Sequence, residues 1–310
     1  RGLVHQGQLA LDRRGAREEG RQGLGLGQVV GREGGRGYDR QPGQPLDLGG
    51  VGDLDARPGQ YPTGRAVHRE ACGLPDRGQR QRSVEPIDVR NFEGIEGPGD
   101  PNARFLDAIT RTCALLADRV EAGARAGATP LVLGGDHAQA IGTIAGLARV
   151  HKKRNERVGV VWVDAHTDMN TPDTSPTGNI HGMPLAALLG HGRPALTGLA
   201  GDTPALRPED VAIIGARDVD AGEVGLVKEL GVRVYTMSEL DQRGTATCVN
   251  EAMARVTEHT AGVHLSFDLD GVDPQHAPGV GTPVPGGLTV RESHLICESV
   301  HRTGCLLGME

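Results

Sequence analysis

From about residue 84 onward, apolar positions fall into two alternating rhythms. In "DPNARFLDAITRTCALLADRVEAGARAG", Phe105, Ile109, Cys113, Leu116 and Val120 recur at helical spacing and predict an amphipathic helix. The next run, "TPLVLGGDH", is short, apolar and stopped by two glycines, which reads as a strand. The segments "VGVVWVDAH", "DVAIIGARD", "VRVYTM" and "VHLSFDLD" read as further strands, and the closing "GCLLGME" looks like another. Between them, "GTIAGLARVHK" and "AGEVGLVKELG" have helical character. Apolar strands alternating with helices predict an α/β fold with a mostly parallel sheet. In such sheets ligands collect at the carboxyl ends of the strands, and the polar residues of these segments sit at those ends.

Before residue 84 the rhythm is missing. Stretches such as "REEGRQGLGLGQVVGREGGRGYDRQPGQP" are rich in Gly, Arg and Gln, with few sustained apolar periods. Such composition buries too little surface to offset its ordering entropy. The chain therefore divides into an atypical segment, 1–84, expected to be disordered or out of frame, and a catalytic-type domain, 85–310.

Composition narrows the class. At 310 residues the chain is long enough for one large domain with a full core. A net charge of -7 and 2% aromatic residues argue against a nucleic-acid partner, which would want a basic surface and stacking platforms. No apolar run approaches the roughly 20 residues that span a bilayer, so no membrane partner is expected. Cys72, Cys113, Cys248, Cys297 and Cys305 are scattered and form no C-x-x-C pair. They predict reduced thiols in a cytoplasmic protein and no thiolate zinc site.

The chemistry lies at three predicted strand ends. Asp164, His166 and Asp168 follow the β-branched run "VVWV" at every second place, so in an extended segment they face one side. Crowded carboxylates repel unless something positive sits between them. Asp136 and His137 follow a glycine pair, and Asp268 and Asp270 again alternate in "SFDLDGVD". Together His137, Asp164, His166, Asp168, Asp268 and Asp270 offer two imidazoles and four carboxylates. That donor set suits a moderately hard divalent ion such as Mn2+. Six ligands exceed what one ion with an open position needs, so two ions sharing bridging carboxylates fit better.

Three long motifs carry a family resemblance: "GGDHAQAIGTI", "VWVDAHTDMNTPDTSPTGNIHGMPLA" and "SFDLDGVDPQHAPGVGTPVPGGLTVRE". From about Thr129 to Glu310 the sequence resembles the arginases, of the ureohydrolase family. The resemblance implies a three-layer α/β/α fold around a mostly parallel sheet. It also implies two Mn2+ ions and hydrolysis of L-arginine to L-ornithine and urea by a metal-bridging hydroxide. One ion would be held by His137, Asp164, Asp168 and Asp268, the other by His166, Asp164, Asp268 and Asp270. By the same resemblance, Asp168 orients the hydroxide and His181 is the proton-shuttling histidine. Asn170 and Thr177 would meet the substrate α-carboxylate, Asp220 and Glu223 the α-ammonium, and Thr282 is a further pocket position. Trimers or hexamers would be the assembly. Agmatinase, or another ureohydrolase acting on a guanidino substrate, is the nearest alternative. A catalytically impaired or non-catalytic arginase-like protein is the alternative of another class.

Two departures from the family pattern shape the expectations. The opening strand and glycine-rich loop of arginases are not found in residues 1–84, which suggests a frame error or mis-assigned start. In the family a guanidinium-contacting acid lies a few residues beyond the position of Glu310, so the chain as written is expected to be weakly active or inactive.

Overall fold

The computed structural model describes Ile87 and residues 97–310. The expectations drawn for residues 1–84 lie outside the described residues.

The greasy run before Asp164 forms β1 (Gly159–Val163), buried at every position, as a strand covered on both faces must be. Its parallel neighbours are β2 (Val211–Ala216) on one side and β4 (Val263–Phe267) on the other. Beyond them lie β3 (Arg233–Thr236) and β5 (Leu306–Met309), giving the all-parallel order β3-β2-β1-β4-β5. Eight α-helices accompany the sheet among the described residues. They are α1 (Leu106–Arg125), α2 (Gln139–Lys152), α3 (Pro184–Leu188), α4 (Pro194–Thr197), α5 (Ala221–Leu230), α6 (Met237–Arg243), α7 (Thr245–Thr257) and α8 (Val290–Thr303).

Alternation along β1 builds two cores. Val160 and Trp162 face one layer, packing with Leu116 and Val120 of α1 and Ile144 and Leu147 of α2. Val161 and Val163 face the other, with Val249, Met253 and Val256 of α7 and Ile296 and Val300 of α8. The result is the α/β/α sandwich expected from the sequence. Each such side chain, fully buried, contributes about 1.5–3 kcal/mol of transfer free energy.

The "LVL" run departs from its reading as a strand. Leu131 makes a single parallel bridge to Met309, supported by Val132 N–H to Met309 O and Met309 N–H to Pro130 O, both 2.9 Å. Only Val132 packs on the core, while Leu131 and Leu133 are exposed. Gly134 and Gly135 then lead into the turn that opens α2, so pairing ends after one bridge.

α1 and α2 approach closely because Gly146 presents no side chain at their crossing. A Cβ built there would lie 2.6 Å from Ala117 O and 2.8 Å from Val120 Cβ. Gly146→Val is therefore expected to destabilise the protein by at least the 1–3 kcal/mol typical of overpacking. A clear drop in the urea midpoint at constant slope would show it, and an unchanged midpoint would count against this packing account.

The topology also positions the site. The chain leaves β1 towards β2 on one side and leaves β4 towards β5 on the other. The carboxyl ends of β1 and β4 thus flank a topological switch point, where α/β sheets open a crevice. Val163 pairs with Phe267, and Asp268 N–H donates to Val163 O at 2.9 Å, so Asp164 and Asp268 emerge side by side. Among the described residues, no helix is long and apolar enough to cross a membrane.

Candidate metal centre

Three carboxylates converge on one imidazole nitrogen. His137 Nδ1 lies 2.8 Å from Asp164 Oδ2, 3.0 Å from Asp168 Oδ2 and 3.4 Å from Asp268 Oδ2. That nitrogen carries at most one proton, so it cannot satisfy all three. Asp168 Oδ2 is buried and makes no hydrogen bond. Beside this group, His166 Nδ1 lies 3.2 Å from both Asp164 Oδ1 and Asp270 Oδ2. Asp164 thus serves both histidines with its two oxygens. Two groups able to hold a metal ion follow, His137–Asp164–Asp268 and Asp164–His166–Asp270, sharing Asp164.

The charges make the same point. Burial lowers the proton affinity of His137, but Asp164 and Asp168 beside it outweigh burial and raise its pKa well above the ordinary value. His166 is likewise drawn down by burial and then pushed up, to about 11, by Asp164 and Asp270. Asp164 is held far below the usual carboxylate range: burial opposes this, but the two histidines prevail. Burial and the charge of Asp164 push Asp168 well up and Asp268 to about 6. Were all four carboxylates ionised, even two protonated imidazoles would leave two negative charges uncompensated, and the raised proton affinities of Asp168 and Asp268 express that deficit. Divalent cations answer that deficit, and the nitrogen and oxygen donors present fit them.

The candidate ligands converge by a route that alternation does not describe. β1 ends at Val163, and the stretch after it is loop. His166 turns back onto Asp164, its backbone N–H donating to Asp164 Oδ1 at 2.7 Å. Asp168 sits at φ 52°, in the left-handed region that aspartate tolerates better than most residues. Asp268 caps the 3-10 turn Leu269–Gly271 through Oδ1, which accepts from Asp270 N–H at 2.8 Å, while Oδ2 turns to His137. Capping and the approach to His137 are divided between its two oxygens. Asp136, by contrast, is exposed and accepts from Ala138 N–H at the entry to α2.

Backbone contacts bring the His181 turn to the same place. Leu185 and Ala186, at the start of α3, donate their N–H groups to Asp168 O at 3.1 and 3.2 Å. Asn170 N–H donates to Gly182 O at 3.1 Å, so the 3-10 turn Ile180–Gly182, with half-buried His181, is stapled to the ligand loop. Gly178 anchors the turn's approach at φ +69°, where a Cβ would meet Pro101 O at 1.9 Å.

With this geometry in place, comparison with known proteins is decisive, because the arginase family model matches residues 43–310. The chain belongs to the arginase family. It is 52% identical to the arginase of Bacillus caldovelox over 224 residues, covering 72% of this chain and 74% of that relative. The crystal structure of Bacillus cereus arginase superposes with a TM-score of 0.65 at 47% identity, covering 69% of this chain and 72% of the other. The structure of Entamoeba histolytica arginase in complex with L-ornithine gives 0.64 at 36% identity, covering 68% and 70%.

The remaining family positions surround the cluster in different ways. Asn170 is buried, with Nδ2 donating to Asp220 Oδ2 at 2.8 Å and Oδ1 accepting from Thr174 at 3.0 Å. Thr177 is exposed, its hydroxyl accepting from Asn179 N–H at 3.2 Å. Asp220 and Glu223 form the capping box of α5. Glu223 is buried, and its Oε1 also accepts from Thr167 Oγ1 at 2.7 Å and Met169 N–H at 2.9 Å, so it braces the ligand loop. Thr282 is exposed and donates to Asp270 Oδ2 at 2.8 Å.

Three structural participants escaped the sequence reading. Trp162 stacks on His137 with ring centroids 4.1 Å apart and donates to Asp164 Oδ2 at 3.1 Å. Its place two residues before Asp164 was the available signal. Arg217 ties Asp270 O (2.7 Å) to Val284 O (2.6 Å), fastening the loop that carries Thr282. Ser266 meets the far side of His137.

Proposed function

We propose that the chain hydrolyses the guanidinium group of L-arginine to L-ornithine and urea, with two Mn2+ ions at the cluster. The reading rests on two adjoining groups of two histidines and three carboxylates at the sheet's switch point, with the Asp168 carboxylate 3.0 Å from His137, in a chain of the arginase family. His137, Asp164, Asp168 and Asp268 would hold one ion, and His166, Asp164, Asp268 and Asp270 the other. When bound, the cations supply a water acidified enough to act as nucleophile near neutral pH.

The chain's own residues do the rest. Asp168 Oδ2, without a hydrogen bond of its own, offers the acceptor that orients the attacking water. Collapse of the tetrahedral adduct needs a proton on the departing amine nitrogen. His181, in the turn stapled to the ligand loop, is the donor, a role suited to imidazole at physiological pH. Asp220, with Glu223 behind it, receives the substrate ammonium, and Thr282 lines the pocket through its bond to Asp270.

Asn170 and Thr177 receive the α-carboxylate. Asp220 takes one of Asn170's two amide hydrogens, and the other is available to the substrate. Agmatine lacks that carboxylate, so arginine is the preferred substrate. Asn170→Ala removes a hydrogen bond to a charged group, worth about 1.5–3 kcal/mol, and should erode the arginine preference by about 10- to 150-fold. Urea release from arginine and agmatine, with and without Mn2+, tests the whole reading. Equal kcat/KM for the two substrates in the unsubstituted protein would overturn the assignment to arginine.

A further inference from the structure

We propose that Asp100 and Arg193 are specificity-determining positioning residues, which latch residues 98–105 against the loop that offers Thr177 to the substrate α-carboxylate. The inference rests on the reading of Thr177 as a carboxylate contact. Thr177 lies on an exposed loop with local bonds of its own: Ser175 N–H donates to Thr171 O, and Ser175 Oγ accepts from Gly178 N–H, both at 2.9 Å. Local turns shape such a loop but do not set its distance from the metal cluster. Its placement needs a hold from elsewhere in the chain.

Residues 98–105 supply that hold. Arg104 N–H donates to Gly178 O at 2.8 Å, and Arg104 pairs with Asn179 in a parallel bridge. The missing side chain of Gly178 lets the loop close against Pro101 O. Ala103, between these contacts, is fully buried in the cluster of Ile180, Met183 and Leu196. The segment thus sits against both the Thr177 loop and the turn that carries His181.

The segment is also closed on itself. Phe105 N–H donates to Pro98 O at 2.7 Å, Ala103 N–H to Asp100 O at 3.1 Å and Asn102 N–H to Asp100 Oδ1 at 2.9 Å. Phe105 takes φ 60° at the N-cap of α1, a conformation that bulky residues seldom adopt and that persists only where the surroundings impose it. Asp100 carries the second anchor: its Oδ2 accepts from Arg193 Nη2 in a charge-assisted bond between partly buried side chains. Arg193 belongs to the frame of the cluster. Its carbonyl accepts from the N–H groups of Leu196 and Thr197 in α4, and α3, just before it, is bonded to Asp168 O. Asp100 thereby ties the Thr177 loop to the helices that hold a candidate metal ligand. Opening the latch loosens the carboxylate contact, while a substrate without the carboxylate loses nothing by it.

The test compares steady-state constants for arginine and agmatine in the Mn2+-loaded full chain carrying Asp100→Asn, Arg193→Ala or both. Asp100→Asn is the mild change, since its amide oxygen still accepts from Asn102 N–H and only the charge facing Arg193 is lost. Each single variant should raise KM for arginine by about 2- to 5-fold, the scale of a partly exposed ion pair, and leave kcat and the agmatine constants unchanged. The double variant should be no worse than either single one, because both remove the same bond. Arg193→Lys, which keeps the charge, should recover part of the loss. Should Arg193→Ala not fold, as judged by its unfolding transition, Asp100→Asn and Arg193→Lys decide by the same readout. Should urea release be too slow to measure, calorimetric affinities for L-ornithine and putrescine, with and without the carboxylate, decide by the same comparison. An unchanged arginine KM in the folded single variants, with the arginine preference intact, would overturn the latch and leave the role of Thr177 standing. Parallel losses for both substrates, or additive losses in the double variant, would also overturn it. An unsubstituted protein that handles arginine and agmatine alike would overturn the carboxylate reading and the latch together.

Discussion

Asp164→Asn is expected to lower Mn2+-dependent urea formation by about three orders of magnitude or more. The reason lies in how one side chain is divided: Oδ2 serves His137 and Trp162, while Oδ1 serves His166 and its backbone N–H. Both metal-binding groups share this residue, so the substitution acts on both at once. An amide keeps one oxygen acceptor but turns the other position into a donor, aimed at a histidine that needs an acceptor or a cation there. Losing one well-placed electrostatic stabiliser typically costs 10²–10³-fold, and losing the acidified nucleophile costs more. A binding readout accompanies the kinetic one. Mn2+ at about a hundred times its Kd should stabilise the native protein by about 2.7 kcal/mol, visible as a rise in Tm, and Asp164→Asn should abolish that rise. A variant that kept both the Tm response and the activity would remove the bridging role.

His181→Asn should act on a different quantity. Loss of a general acid typically costs 10²–10⁴-fold, and it should fall on kcat, with Mn2+ binding and KM near those of the unsubstituted protein. The structure supports that separation. His181 is not a member of either metal-binding group, and its turn is held by backbone bonds from Asn170, Leu185 and Ala186 that the substitution leaves in place. Single-turnover and steady-state urea assays at saturating Mn2+ would check it. A proportional fall in Mn2+ affinity would instead place His181 in the ion-binding machinery, and an unchanged kcat would end its role as proton donor.

Much of this architecture was legible in the sequence, and the gaps have physical causes. The parallel sheet was readable because β1, β2 and β4 are buried on both faces and so spell near-continuous apolar runs. The ligand types were readable because charge at the end of such a run demands a reason. How the ligands meet was not readable, since alternation fails after Val163 and the convergence depends on a positive φ at Asp168. The "LVL" run carries a strand's composition, but pairing depends on a neighbour, and β5 offers it only one bridge. Ser266 looked like an ordinary strand residue because its partner, Glu310, reaches it only through the pairing of β4 with β5. The roles of Arg217 and Glu223 as braces were hidden for the same reason: each acts on backbone groups that folding brings near.

The switch point between β1 and β4 has a kinetic consequence. Its ligands come from the entry to α2, the loop after β1 and the end of β4, segments widely separated along the chain and adjacent only once the central strands have paired. No fragment that stops short of β4 can present more than part of the donor set. During refolding, uptake of the full complement of ions should therefore trail the pairing of β1 with β4 and serve as a late chemical clock. Ions held there would act as cross-links between distant parts of the chain, and their escape would be limited by how often the centre of the sheet opens.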